Sequence, residues 1–231
     1  MIDFAVWDSL LHQYVDQQGR VDYLAWSQQP QALTNWLASL ESVDLNPTLP
    51  ADQLALWMNL YNAFTISTIL KRYPIASIRP VVLGLPNWIA FLRFFQRRVY
   101  RFSNKTYSLN QIENDMLRDR CHDARIHFAI VCASIGCPLL RNEAYTSALV
   151  EHQLDNDAHR FINNPDKVRY DAQTGTLYCS KILKWYRQDF LQLASSIPDY
   201  ICAYRQDLPL TASTPIAYLH YDWSLNQRTS S

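Results

Sequence analysis

The chain has 231 residues, 48% hydrophobic and 18% charged, enough apolar material for a substantial buried core and too ordered a composition for a disordered chain. Twenty-one basic residues balance twenty-one acidic ones, so bulk electrostatics recruits neither nucleic acid nor an anionic membrane. Five cysteines form no regular framework, the first residues lack the basic and apolar regions of a secretory signal, and no apolar run reaches the ~18 residues of a membrane span, so a reduced, cytoplasmic protein is expected.

In chain order, Phe4, Trp7, Leu10, Leu11 and Val15 have helical spacing, which predicts a helix over 3–16 that Gly19 ends, followed by a short extended piece at Val21–Tyr23. A second amphipathic helix is expected over 31–42, stopped before a loop holding Pro47 and Pro50. Asp52 can cap a third helix running to about Tyr73. It is apolar nearly all round and therefore expected to be central and buried. Pro80, Gly84 and Pro86 mark residues 80–92 as a loop with room for a short helix. Arg93, Arg97, Arg98 and Arg101 alternate with Phe94, Phe95 and Tyr100 and read as a solvated flank rather than a nucleic-acid stripe.

Two β-hairpins follow from the pattern: Val99–Phe102 with Thr106–Leu109 around Ser103-Asn104-Lys105, and Val168–Tyr170 with Thr176–Cys179 around Gln173-Thr174-Gly175. Helices are expected over 110–118, 142–163, 181–193 and 196–204, and a last strand over Pro215–Trp223. The fold class is α+β: one predominantly helical domain, 1–231, around a small, mainly antiparallel sheet with two β-hairpins.

Chemistry concentrates between Ile126 and Arg141. Ile126–Val131 is apolar apart from His127 and rich in β-branched residues, which predicts a buried strand running into a turn that carries Cys132, Ser134, Gly136 and Cys137. One of only four glycines falls here, which points to a backbone conformation other residues adopt with difficulty. A thiolate at Cys132 needs a base or positive neighbour. His127 is five residues away, and in an unbroken strand that places it on the opposite face. A core histidine beside an inert thiol, a Cys–His pair, and a Cys132/Cys137 redox dithiol all stand open. A zinc site on these thiols with His127 and His122 fits no usual ligand spacing, and neither metal nor cofactor is expected.

Asn59 and Asn62 share a face of the central helix, either tying neighbouring backbone or orienting a substrate. Glu113, on the short helix upstream, is a candidate for orienting the imidazole, and Arg141 for pairing a carboxylate or a substrate anion.

The blocks Leu56-Trp-Met-Asn-Leu-Tyr-Asn-Ala63, Leu109-Asn-Gln-Ile-Glu113, Arg125–Ser134, Cys137–Tyr145, Ser180–Phe190 and Tyr221–Asn226 resemble, in the same order, the domain of unknown function 547 family of bacteria and plants, over about 21–226. Some members of that family are fused to glutaredoxin-like or DEP domains and plant members to leucine-zipper segments; the resemblance therefore implies thiol chemistry or a scaffold role. Residue by residue it singles out Asn59, Asn62, Glu113, His127, Cys132, Ser134, Cys137, Arg141 and Asp222. This chain departs from the family pattern at Asn114, where a histidine is expected after Ile112-Glu113.

Three functions are thereby expected. The first is a cysteine-nucleophile hydrolase or acyl/thiol transferase for a small or peptide-like substrate. In it Cys132 attacks, His127 is the base, Glu113 or Asp222 orients it, and Asn59 or amides near Ser134 hold the oxyanion. The second is a redox module cycling Cys132 and Cys137. The third is a non-catalytic protein-interaction domain.

Overall fold

The computed structural model describes residues 2–44, 49–82 and 85–228; Pro47 and Gly84 of the expected loops lie outside them. Helix accounts for 46% and strand for 12%, a mainly helical α+β fold.

The helix Pro50–Leu70 is the centre of the larger core, and every residue from Leu54 to Ser67 is buried. Met58, Leu60, Ala63, Ile66 and Ile69 are wholly inaccessible; burying a large apolar side chain contributes about 1.5–3 kcal/mol. Its first turn differs from expectation. Leu49 is the N-cap, Pro50 sits where its missing N–H costs nothing, and Asp52 accepts a hydrogen bond from Ser147 instead of capping.

Helices Ala5–Tyr14, Tyr23–Gln28 and Gln31–Ser39 precede it. Indoles interlock them: Trp7 stacks on Trp36 with centroids 6.1 Å apart, and Tyr14 on Trp26 at 4.8 Å. The middle helix, capped by Asp22, is absent from the sequence reading because six residues carry too little periodicity. Val21 bridges Val15 and Gln227, as an extended piece should.

Both hairpins form. Tyr100–Phe102 pairs with Lys105–Tyr107 around Ser103 and Asn104, both at positive φ, the tight two-residue turn that matches strand twist. Phe102 and Tyr107 from it meet the Trp57 ring edge-on. Val168–Asp171 pairs with Thr176–Cys179, and Ile216–Tyr218 adds to the latter in parallel, making a three-stranded mixed sheet. Residues 80–92 hold more order than a loop: Val81–Val82 pairs with Leu85–Pro86, and a helix runs Trp88–Gln96 with Asn87 as its cap. The helix expected from 142 starts only at Val150, because Arg141–Leu149 is a turn-rich segment pinned by Arg141.

The expected strand Ile126–Val131 is not one. Ala124–Phe128 is a 3₁₀ helix capped by Asp123, Ala129 is in a turn, and residues 130–133 enter no strand. The segment is buried as expected, but its backbone bonds to the Asn62 side chain of the central helix rather than to other strands.

A second core gathers Phe128, Phe161, Leu177, Phe190 and Tyr200 under the helix Val150–Ile162 and the mixed sheet. Cys132 and Trp223 pack against both cores, so the seam between the two runs past the segment with the cysteines. Among the described residues no helix is long and apolar enough to cross a membrane.

Candidate functional site

At that seam lies a cleft of about 500 Å³ lined by Cys132, Cys137, His127, Glu113 and an aromatic wall. The wall is continuous. Phe95 meets Phe91 at 5.2 Å, Phe91 meets Trp223 at 4.9 Å, Trp223 meets Tyr221 at 4.4 Å, and Tyr221 meets Trp185 at 4.8 Å.

Asn62 fixes the approach to the cysteines. Its Nδ2 donates to the Ala129 carbonyl at 3.0 Å and its Oδ1 accepts the Val131 N–H at 2.9 Å, so one amide replaces the missing strand neighbour. Ala133, fully buried, then turns the chain through the left-handed region at φ 64°, a strained position for any residue but glycine. The segment 222–226 straps the turn, with Ile135 N–H on the Ser224 carbonyl and Gly136 N–H on that of Asp222. Gly136 itself has an ordinary φ. It is glycine because a Cβ there would lie 2.7 Å from the Tyr221 ring.

This turn brings Cys132 and Cys137 together, and they are joined by a disulfide, while Cys121, Cys179 and Cys202 are free. The expectation of a reduced chain therefore meets one bonded pair. Cys137 is buried and Cys132 half-buried. The Cys132 N–H and the Tyr221 hydroxyl both donate to Cys137 Sγ, at 2.9 and 3.2 Å. Ser134 Oγ lies 3.1 Å from Cys132 Sγ and donates to the Tyr221 hydroxyl.

His127 lies on the 3₁₀ helix, so the opposite-face argument for a strand does not apply, and it lines the same cleft as Cys132. No hydrogen bond joins the two. His127 Nε2 is 2.7 Å from Asp189 Oδ2, its Nδ1 is buried without a partner, and the Tyr186 ring lies flat on its face. Asp189 in turn receives two bonds from Arg118, at 2.7 and 2.8 Å. Those bonds, followed by the bond to His127, hold the Asp189 carboxyl well below the usual carboxylate range.

Glu113 does not reach His127. It accepts the Tyr61 hydroxyl at 3.2 Å and the Tyr186 hydroxyl at 2.5 Å. Burial first, and then the Glu113 charge, push both tyrosines up, so they stay protonated donors. The local winding explains the placement. Ser108 and Gln111 form a reciprocal cap that starts the helix, and Ile112–Arg118 then continues as a π-helix, with Asp119 N–H bonding back to Asn114. Residues five apart come onto one face in that winding, so Glu113 and Arg118 both point toward Tyr186, over whose ring the guanidinium lies at 5.6 Å. Asn114 accepts from Arg118 at 2.6 Å and also lines the cleft.

The remaining sequence candidates lie elsewhere. Asn59 donates to the Tyr145 carbonyl, accepts from Tyr145 N–H and the Trp7 indole, and does not line the cleft. Arg141 binds Asp157, Glu143, Asn156 and the Gln153 carbonyl around a buried node. Asp222 faces a second cavity of about 190 Å³ beside Lys167, with its carboxylate on Ser224 N–H. Tyr186, Tyr221 and Trp223 line the cleft, Asp189 bonds to the His127 that lines it, and none of the four was a candidate from the sequence. Their signal was the pair of blocks around Trp185-Tyr186 and Tyr221-Asp222-Trp223. Among the described residues no three His, Cys, Asp or Glu side chains gather as a metal-binding group.

No curated protein matches this chain, and no solved structure does. A family model does. It covers Asn59, Asn62 and the cleft residues from Tyr61 to Cys137, and stops short of the blocks that supply Tyr186, Asp189 and Tyr221. The model, described as "Protein of unknown function, DUF547", matches residues 47–162, half of the chain, and the chain belongs to that family.

Proposed function

We propose that the cleft is a thiol–disulfide exchange site, with Cys132 as the reacting sulfur and Cys137 as its resolving partner. The observation that carries this reading is the bonded pair in the cleft wall, half-buried at Cys132 and buried at Cys137, with two donors aimed at Cys137 Sγ. A substrate thiolate attacks Cys132 Sγ; the Cys132–Cys137 bond breaks and its electron pair leaves on Cys137. The Tyr221 hydroxyl and the Cys132 N–H stabilise that thiolate, as charge-assisted donors do. A second substrate thiolate then attacks the substrate sulfur of the mixed disulfide and releases Cys132. Two substrate thiols become a disulfide, and the protein keeps two electrons and gains two protons as a dithiol. The reverse sequence reduces a substrate disulfide.

The test is equilibration of the native protein in glutathione buffers of graded ratio, followed by acid quench, alkylation and mass spectrometry. Reversible interconversion, with Cys132 and not Cys137 found in the mixed disulfide with glutathione, is expected. A pair that never forms a mixed disulfide, or that opens only after unfolding, removes the reading.

A second reading has one observation of its own: His127, oriented by Asp189, lines the same cleft. With the bond reduced, Cys132 would be the nucleophile of an amide or thioester hydrolase or an acyl transferase. It requires that reduced protein be acylated at Cys132 by a thioester probe and that His127→Ala abolish this.

A further inference from the structure

The cleft holds a carboxylate that the exchange chemistry does not use. Glu113 is 8% exposed and lines the cleft, yet its bonds are both to tyrosine hydroxyls and none is to a cation among the described residues. Arg118 is near enough to feel its charge but spends its hydrogen bonds on Asp189 and Asn114, so among the described residues Glu113 has no cation bonded to it. A second observation lies at the same cleft. Trp185 contributes its indole to the lining while 48% exposed, an unusual placement for so large an apolar side chain. Phe91 and Phe95 continue that surface. Aromatic faces here already attract cations: Arg79 lies over Trp223 at 5.2 Å and Arg118 over Tyr186.

We propose that the cleft recognises an organic ammonium group on an apolar carrier, with Glu113 as its counter-charge and Trp185, Phe91 and Phe95 as the surface for the carrier. Two tyrosine donors fix the carboxylate and leave each oxygen a further lone pair for an N–H donor. A neutral ligand of the same shape would leave the buried charge uncompensated, and an anion would be repelled. The proposal rests on the cleft being the ligand site of the thiol reading and names the substrate class for it: a thiol or disulfide compound carrying an amine, or an amino-terminal peptide segment.

The experiment is calorimetric titration of the full chain with benzylamine, benzyl alcohol and benzoate. It is carried out on the native protein and on Cys132→Ser/Cys137→Ser, which lacks the exchange chemistry. Benzylamine is expected to bind at least about tenfold more tightly than benzyl alcohol in both proteins, with no benzoate binding. Glu113→Gln removes the preference for the amine. Trp185→Ala, at a position 48% exposed, weakens amine and alcohol alike. Equal affinity for amine and alcohol in the native protein overturns the proposal whatever the variants do, as does absence of saturable benzylamine binding. Ammonium preference retained in the double serine variant, with exchange failing in the glutathione test, would leave the cation site standing and remove the thiol reading alone.

Discussion

The Tyr186 ring lies on the His127 imidazole with centroids 3.7 Å apart, and the same tyrosine donates its hydroxyl to Glu113 at 2.5 Å. One side chain therefore stands between the carboxylate and the imidazole that the sequence suggests as partners, and it holds both. The imidazole bonds to Asp189 instead, and of these two carboxylates only Glu113 lines the cleft. Asp189 is neutralised by Arg118, and Glu113 is bound only by neutral hydroxyls.

Asp189 makes one prediction in pH. Its folded carboxyl is held below its unfolded value, so it binds a proton less readily folded than unfolded. Its contribution to stability is complete above the unfolded value of about 3.9 and is lost as pH falls through the lower folded value. Asp189→Asn should lower the unfolding free energy at neutral pH by about 1–2 kcal/mol, a figure discounted for the partial exposure of the pair. The difference from the unmodified protein should shrink below about pH 3. Urea denaturation at both pH values checks it; a gap that stays constant would show that the ion pairs are not its source.

Asn62 is expected to be among the most sensitive polar positions. Asn62→Ala leaves the Ala129 carbonyl and the Val131 N–H buried and unpaired, at a cost of about 2–4 kcal/mol. The approach to the cysteines then loses its anchor, and amide exchange at Val131 should accelerate well beyond the global change. Protection at Val131 equal to that of the unmodified protein would contradict the clamp.

Gly136 and Tyr221 separate packing from chemistry. Gly136→Ala drives a methyl into the Tyr221 ring and should destabilise by about 1–3 kcal/mol. Tyr221→Phe keeps the ring and loses the hydroxyl's bonds to Cys137 Sγ, Ser134 Oγ and Cys132 Sγ. It should cost about 0.5–1.5 kcal/mol in stability, yet slow release of Cys137 from the disulfide during stopped-flow reduction. Reduction at an unchanged rate in Tyr221→Phe would show the hydroxyl to be structural only.

Lys167 predicts a rise of stability with pH, as Asp189 does, but in an alkaline window. Burial lowers its amine to about 8, while its Nζ donates to the Ile135 carbonyl on the far side of the turn. The unfolded chain then binds this proton more readily than the folded one, so stability should rise as pH increases from about 8 toward 10. Lys167→Met, which keeps the stem and removes the charge, should flatten that rise in thermal melts.

Periodicity and punctuation determined much of the fold by themselves. Alternation with Ser103-Asn104 and with Gly175 specified both hairpins, because side-chain period and turn conformation are properties of a few adjacent residues. The all-round apolar character of Leu54–Ser67 specified a central buried helix for the same reason. The turn that carries Cys132 and Cys137 was also legible, from its punctuation by Gly136 and Pro138. Tertiary structure decided what each residue there does. Ile126–Val131 has a strand's composition, but a 3₁₀ turn and the Asn62 amide satisfy its backbone, which no local pattern could specify. Asp189 and Tyr221 lie 62 and 89 residues from the His127 and Cys132 they touch. Glu113 bonds to Tyr186 and not to the histidine because a π-winding brings it onto the face of Arg118, which no residue pattern announces. Patterns along a chain report which surfaces must be buried; which partner meets which across the seam of two cores is decided only when those surfaces close on one another.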